Sequence, residues 1–254
     1  MTNDTKQHLP IDLRVEHDDH IIGYLPGTGS RLVVSLSSVG KRRWAYPPWE
    51  FIGTASDGGR NHVLLVSERA RTWMNAPGLA EAIAAQIEHV VREHRIKEVV
   101  ALGNSMGGFM ALVLPQYTKV DRVVATSAQF SMHPDIVPED GRWALWRTRM
   151  PAFRHETIGA IDAGARDHFI LHGSTKNENL HWGRFPYDPA LHHYIIQGKG
   201  HSVVIAMKGS GIMGEVLGLA IDGHADAAVK ALSTRYRPIR RSELPPEQRM
   251  LWPR

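Results

Sequence analysis

The chain contains no cysteine, so disulfide bonds, thiolate metal ligands and a cysteine nucleophile are all excluded. It also lacks an unbroken apolar run of the length that a membrane helix requires. The most apolar stretch, residues 203–221, contains Lys208, Glu215 and several glycines, and this composition predicts a core helix rather than a membrane span. No apolar signal core occurs in the first residues, and we therefore expect a cytoplasmic protein.

The excess of positive charge is small. The formal net charge is +4 over 254 residues, and the basic residues are dispersed apart from residues 41–43 and the tail that begins at Arg235. Neither group is interleaved with aromatic residues in the manner of an RNA-binding surface. We therefore expect solvated basic surface and no nucleic-acid partner.

What the chain does contain is an alternation of short apolar runs and amphipathic segments. Eight strand-like runs lie at residues 11–15, 21–24, 32–36, 62–66, 98–102, 120–125, 168–171 and 193–196. From residue 62 onward these runs are almost entirely apolar, as in parallel strands that are covered on both faces, and helical segments separate most of them. This pattern predicts an α/β protein with right-handed crossovers. We expect one domain over residues 1–234, followed by an extended, basic and proline-rich tail at residues 235–254.

Residues 130–159 interrupt the alternation. This segment is too irregular for a sheet element, and it contains Phe130, Trp143 and Trp146. Because ligands bind near the carboxyl ends of strands in α/β folds, the segment is a candidate lid with these three aromatic residues as substrate contacts. A packing segment whose tryptophans cover the core is the alternative, and the sequence leaves both open.

The most informative segment runs from the apolar strand at residues 98–102 into Gly103-Asn-Ser-Met-Gly107 and then into a small-residue helix start. This G-x-S-x-G pattern is typical of a nucleophile elbow, in which a strand turns into a helix at the serine. The turn is so tight that a Cβ at either flanking glycine would collide with neighbouring backbone. We therefore predict that Ser105 is a catalytic nucleophile.

A serine hydroxyl needs a base within hydrogen-bond reach. Of the 15 histidines, His201 follows an apolar strand through the flexible link Gly198-Lys-Gly200 and precedes a helix-like run. This position places its imidazole at the edge of the sheet where Ser105 lies, and it predicts that His201 is the general base. No histidine spacing typical of a catalytic metal site occurs, so we predict no metal ion.

The sequence offers three carboxylates as the group that orients the base. Glu178 is the nearest one past the strand that ends at Gly173, and we predict that it is the partner of His201. Asp188 and Asp135 are the alternatives. An exposed loop charge without a catalytic role is a further interpretation of Glu178.

Negative charge that develops on a substrate carbonyl oxygen needs fixed N–H donors. The N–H of Met106, at the start of the helix after the elbow, is the predicted first donor. The loop Ser37-Ser-Val-Gly40 would supply the second, with Val39 preferred and Ser38 as the alternative. A turn that only reverses the chain explains the same loop residues.

The motifs GNSMGG, FILHG and GKGHS occur in the order nucleophile, acid, histidine, and from about Leu32 to Ile221 the chain resembles the α/β-hydrolase superfamily. The resemblance implies an α/β-hydrolase fold with a mostly parallel eight-stranded sheet and helices on both faces. The chain departs from many members at Ser37-Ser38, where they have His-Gly, and at Lys176-Asn177, where they have an aspartate. The Ser-Ser loop and the segment SAQFSMHP are also similar to hydrolase-like proteins of bacterial polysaccharide and glycoprotein pathways, some of which are acetyl esterases or O-acetyltransferases.

These residues predict a serine-dependent acyl hydrolase, an esterase that forms an acyl-enzyme and uses no cofactor. The expected partner is a small-molecule or carbohydrate ester. An O-acyltransferase would use the same triad, because a sugar hydroxyl can replace water in the second step. A non-catalytic binding protein on a hydrolase scaffold is the third interpretation, although it gives Ser105 and His201 no role.

Overall fold

A computed structural model describes residues 10–150, 152–162 and 166–245 of the chain. The strands in these ranges lie close to the eight predicted runs, with one addition near the end. They are β1 Asp12–Glu16, β2 His20–Leu25, β3 Arg31–Leu36, β4 His62–Glu68, β5 Glu98–Asn104, β6 Arg122–Thr126, β7 Asp167–Gly173, β8 His192–Ile196 and β9 Pro238–Arg240.

Helices occupy most of the connections between strands. They are α1 Ile52–Ser56, α2 Leu79–His94, α3 Met106–Val113, α4 Ala144–Arg147, α5 Lys176–Trp182, α6 Val203–Gly209, α7 Met213–Ile221 and α8 Ala225–Ser233. Within the described ranges no single helix has both the length and the apolar character of a bilayer span; α6 and α7 meet those criteria only as a pair, and they are bent by 119° relative to each other.

The strands form one sheet in the order β1-β2-β4-β3-β5-β6-β7-β8-β9. The six strands from β4 across to β8 are parallel, whereas β1, β2 and β9 pair antiparallel at the two edges. The sheet is therefore mostly parallel, as predicted, and it puts the carboxyl ends of β5, β7 and β8 at one edge. The connections that carry Ser105, Glu178 and His201 leave from these three ends.

The ninth strand lies in the stretch that was predicted to be an extended tail. Ile239 pairs with Ile195 on the open edge of β8 and packs beside Trp182 and Leu244. Main-chain pairing at this edge satisfies donors and acceptors of β8 that would otherwise face solvent. Residues 235–245 therefore continue the domain, and residues 246–254 lie outside the described residues.

The core has two layers, one on each face of the sheet. In β5, Val99 and Ala101 pack into the layer that contains α2 and α3, and Val100 and Leu102 pack into the layer that contains α7 and α8. Because both faces are covered, the central strands are apolar at successive positions instead of alternating. This explains why the runs after residue 62 predict strands so directly.

The elbow between β5 and α3 depends on two glycines. A Cβ on Gly103 would lie 2.1 Å from the Gly107 carbonyl oxygen, and a Cβ on Gly107 would lie 2.0 Å from the Leu36 carbonyl oxygen. Both contacts are with backbone, which cannot rotate away. The second contact also shows that the start of α3 packs directly against the end of β3.

We expect Gly107→Ala to lower the free energy of unfolding by several kcal/mol, because the added methyl group separates α3 from β3. Urea denaturation measures the effect. Gly218→Ala is the matched control: its Cβ would meet no atom within 4 Å and lies inside α7, so the unfolding free energy should rise by about 0.5–1 kcal/mol. Equal stability of the two variants would contradict the packing described for the elbow.

Candidate active site

Ser105 lies at the turn between β5 and α3 in a strained conformation. Its backbone has φ 56° and ψ −118°, a region that non-glycine residues rarely adopt. The strain is held by a hydrogen bond of 2.8 Å from the Ser105 N–H to the Thr126 carbonyl and by the close packing of Gly103 on Gly107. Strained backbone of this kind is concentrated at functional sites.

His201 reaches the serine from a loop that is far away in the chain. Its Nε2 lies 2.8 Å from Ser105 Oγ, although the two residues are 96 positions apart. The loop is fixed by the turn after β7: the Ser174 N–H donates to the Lys199 carbonyl at 2.7 Å, and a Cβ on Gly173 would lie 2.2 Å from that same oxygen. The glycine at the end of β7 thus allows the loop of His201 to pack against the segment that carries Glu178.

Glu178 contacts the other side of the imidazole. Its Oε1 lies 3.0 Å from His201 Nδ1, and the side chain is only 2% exposed. Burial by itself would raise the pKa of this carboxyl, but the hydrogen bond and charge of His201, with a hydrogen bond from Arg142, lower the pKa to about 2. Glu178 lies in the first turn of α5 and is neither exposed nor part of an open loop.

The two alternative carboxylates lie elsewhere. Asp188 Oδ1 accepts a hydrogen bond from the Ala190 N–H in a local turn. The Asp135 side chain is 89% exposed, and its carboxylate lies 3.9 Å from His133 Nδ1. The structure therefore brings Glu178, and neither aspartate, to His201.

A buried ionic network that the sequence analysis did not find lies behind Glu178. Arg142 donates to Glu178 Oε1 at 2.8 Å and to Asp140 Oδ2 at 2.7 Å. His181 Nδ1 accepts from the Phe130 N–H, so its proton is on Nε2 and is donated to Asp140 at 2.8 Å. Burial opposes the ionisation of Asp140, but the hydrogen bonds and charges of His181 and Arg142 hold its pKa well below the usual range. Arg142 and His201 thus contact the same oxygen of Glu178, Oε1, and Arg142 is a positioning residue for this carboxylate.

Gln129 is a second contact that the sequence did not reveal. Its Oε1 accepts from Trp73 Nε1 at 2.9 Å, and because an indole N–H is only a donor, this bond fixes which way the amide points. Gln129 Nε2 therefore faces Ser105 and donates to Oγ at 3.3 Å. Both Gln129 and Trp73 are fully buried.

This amide contacts the same oxygen that His201 contacts. Ser105 Oγ lies 3.3 Å from Gln129 Nε2 and 2.8 Å from His201 Nε2, and His201 Nδ1 lies 3.0 Å from Glu178 Oε1. A hydroxyl oxygen that accepts from an amide can still donate its own proton, here to the imidazole. A serine, a histidine and a carboxylate in this arrangement are suited to transfer of the serine proton to the imidazole.

We expect Gln129→Leu to lower kcat/KM for ester hydrolysis about 10- to 100-fold. The substitution removes a hydrogen-bond donor to Ser105 Oγ, and a hydrogen bond to an oxygen that gains charge contributes about 1.5–3 kcal/mol. Steady-state kinetics measure the change. Gln116→Leu is the control, because it removes an amide that bonds to the Ile158 carbonyl away from the cavity. A kcat/KM for Gln129→Leu within twofold of wild type would contradict a role in catalysis.

Two of the three predicted oxyanion residues line a cavity at Ser105. Ser38, Val39 and Ser105 all line this cavity, which has a volume of about 800 Å³. The Ser38 N–H is already used, because it donates to Glu50 Oε2 at 3.2 Å. Met106 is the first residue of α3 and has no helix carbonyl for its N–H. Of the two loop candidates, Val39 is therefore the one compatible with an oxyanion hole beside Met106.

Of the three aromatic residues predicted as substrate contacts, Trp143 alone lines this cavity. Its ring centroid lies 5.4 Å from that of His201. Trp146 is buried against the guanidinium of Arg71, and Phe130 packs on Phe185. Much of the 130–159 segment, including Met132 and Ile158, belongs to the core, which explains why aromatic residues there serve packing as well as the cavity.

We expect the acidic side of the pH profile of kcat/KM to reflect the uptake of a single proton. Since the pKa of Glu178 is lowered to about 2, this carboxyl stays ionised above about pH 4 and adds no proton of its own to the acidic side of the profile. The logarithm of kcat/KM for a neutral ester should therefore fall with a slope no steeper than one in that range, because only the base is lost there. A slope of two above about pH 4 would show that Glu178 is protonated there as well.

The chain matches no protein-family model and no curated protein sequence. Its structure is similar to that of the capsule O-acetyltransferase of Neisseria meningitidis serogroup A, which is 13% identical over 87% of this chain and 97% of that chain, with a TM-score of 0.53. An acylaminoacyl peptidase of Pyrococcus horikoshii is 13% identical over 80% of this chain and 40% of that chain, with a TM-score of 0.54. Together with the strand order, these similarities show that the chain has the α/β-hydrolase fold.

Proposed function

We propose that the protein is a serine-dependent acyl hydrolase that cleaves ester bonds. The observation that carries the proposal is the continuous chain of contacts from Ser105 Oγ to His201 at 2.8 Å and from His201 to Glu178 at 3.0 Å. A nucleophile, a base and an orienting carboxylate in this geometry support acyl transfer through a covalent intermediate.

In the first half of the reaction, Ser105 Oγ attacks the ester carbonyl and His201 Nε2 takes the serine proton. Glu178 stabilises the resulting imidazolium, and the N–H groups of Met106 and Val39 hold the negative oxygen of the tetrahedral intermediate. His201 then gives its proton to the leaving alcohol as the carbon–oxygen bond breaks, which leaves the acyl group on Ser105.

In the second half, His201 takes a proton from water as the water oxygen attacks the acyl-enzyme. Collapse of this second intermediate breaks the bond to Ser105 Oγ, and His201 returns the proton to the serine. Gln129 donates to Oγ in both halves and stabilises the charge that this oxygen carries as it leaves. The products are a carboxylic acid and an alcohol.

O-acyl transfer is the second candidate, and the cavity has room for it. About 800 Å³ is much more space than a small acyl group needs, so an acceptor alcohol can occupy the cavity next to the acyl-enzyme. The capsule O-acetyltransferase named above has the same fold. Whether water or a sugar hydroxyl takes the acyl group then depends on which of them reaches Ser105.

A fluorophosphonate probe tests the proposal, because it reacts only with a serine that a neighbouring base activates. We expect stoichiometric labelling of the wild-type protein and none of Ser105→Ala. Absence of labelling in folded wild-type protein would contradict the proposal. Turnover of 4-nitrophenyl acetate with and without mono- and oligosaccharides, followed by analysis for acetylated sugar, then separates hydrolysis from transfer.

A further inference from the structure

Unpaired positive charge is concentrated at the cavity that contains Ser105. Lys41, Arg42 and Lys208 line this cavity, and they reach it from two separate parts of the chain, the loop after β3 and the helix α6. Among the described residues, none of these three side chains takes part in a salt bridge or a side-chain hydrogen bond. By contrast, Arg31 and Arg122, at the other end of the strands, are each paired with carboxylates.

The carboxylate that lines the cavity is bound to a serine and not to these cations. Glu50 accepts two hydrogen bonds from Ser38, one from its N–H and one from its hydroxyl. Burial also raises the pKa of Glu50. Three cations and one carboxylate therefore line the cavity, which leaves an excess of positive charge there.

A buried arginine fixes the loop that carries two of the three cations. Arg71 is 1% exposed, and its guanidinium donates to the carbonyl oxygens of Val39, Arg42 and Ala45 at 2.8–2.9 Å. These bonds hold the backbone around Lys41 and Arg42 in one conformation. The Arg71 side chain has only carbonyl partners among the described hydrogen bonds, so its role is to fix the loop.

We propose that the cavity recognises an ester that carries an anionic group, a carboxylate, phosphate or sulfate, in its acyl or its alcohol part. This inference rests on the proposed function, and it deepens it by naming the substrate class. Three cations around a partly enclosed space focus the field and raise the local concentration of an anion. The guanidinium of Arg42 provides a planar pair of donors for an oxyanion, and Lys41 and Lys208 act as point charges.

The test uses two pairs of esters that differ in charge. Mono-4-nitrophenyl glutarate and 4-nitrophenyl valerate place the charge in the acyl part; 4-acetoxybenzenesulfonate and 4-acetoxybenzenesulfonamide place it in the alcohol part. At low ionic strength we expect kcat/KM of the anionic ester to exceed that of the neutral ester at least tenfold in one pair, which identifies the side that carries the anion. The preference should decrease as salt is added.

Charge reversal assigns the preference to the cavity. Lys208→Glu and Arg42→Glu should each lower the ratio of anionic to neutral kcat/KM at least tenfold. Lys230→Glu, which makes the same change in net charge at an exposed position of α8, should leave the ratio unchanged. Equal kcat/KM within both ester pairs, or an equal effect of Lys208→Glu and Lys230→Glu, would overturn the inference.

Binding to the Ser105→Ala variant separates this inference from the proposed function. Calorimetry with the two members of each ester pair needs no turnover, and we expect the anionic ester of the preferred pair to bind at least tenfold more tightly than its neutral partner. If neutral esters are hydrolysed through Ser105 but neither anionic ester has an advantage in rate or binding, the inference fails and the hydrolase function stands. If an anionic ester binds selectively but no fluorophosphonate label forms, the hydrolase function fails and anion recognition stands.

Discussion

Ser105→Ala is expected to lower kcat for ester hydrolysis by about 10⁶-fold, the effect of removing the nucleophile from a serine–histidine–carboxylate triad. The variant keeps the oxyanion donors and the cavity, so a residual rate above that in water should remain. Turnover of 4-nitrophenyl acetate measures both values. Ser233→Ala, on the exposed side of α8, is the control for a serine-to-alanine substitution and should leave kcat unchanged.

The same account predicts that the triad residues act as one unit. His201→Ala should lower kcat about as much as Ser105→Ala does, and the double variant should lower kcat little more than either single variant. If the two losses multiplied, Ser105 and His201 would contribute independently, and the hydrogen bond of 2.8 Å between them would have no catalytic meaning.

Glu178→Gln is expected to lower kcat by about 10⁴-fold, with KM little changed. The amide keeps the shape of the side chain but removes the charge that stabilises the imidazolium, and it no longer requires the proton of His201 to be on Nδ1. Arg142 keeps its bond to Asp140, so the fold should persist, and thermal unfolding checks this.

The alternative carboxylates provide the controls for that prediction. Asp188→Asn and Asp135→Asn should leave kcat within about twofold of wild type, because surface substitutions outside a site have small effects. A larger loss of kcat in Asp188→Asn than in Glu178→Gln would show that Glu178 is not the acid.

The site residues that the sequence predicted are those with a characteristic pattern of neighbouring residues in the chain. Ser105 is marked by its two glycines, because a turn of this shape excludes any side chain at Gly103 and Gly107. The loop of His201 is marked by glycines between a strand and a helix. Glu178 was found by its distance from β7, although the sequence placed it in a loop and the structure places it in α5.

The residues that the sequence missed are defined by tertiary contacts. Gln129 contacts Ser105 because Ser127, with φ 47°, turns the chain after β6, and Trp73 arrives from a different connection to orient the amide. Arg142 reaches Glu178 across 36 positions of sequence. No spacing in a single sequence encodes such pairs.

The differences in the fold have the same origin. β9 is three residues long and begins with a proline, so it carries no strand signal of its own, and it forms because the edge of β8 offers backbone partners. The aromatic residues of the 130–159 segment look alike in sequence, and Trp143 and Trp146 are equally buried in the core, but of the two only Trp143 also lines the cavity.

The most direct test of the central claim, that His201 activates Ser105 to form an acyl-enzyme, is the mass of the protein after reaction with 4-nitrophenyl acetate and an acid quench. We predict one acetyl group per chain on the peptide that contains Ser105, lost at the rate of turnover and absent in His201→Ala. Turnover without an adduct, or an adduct on another residue, would contradict the claim.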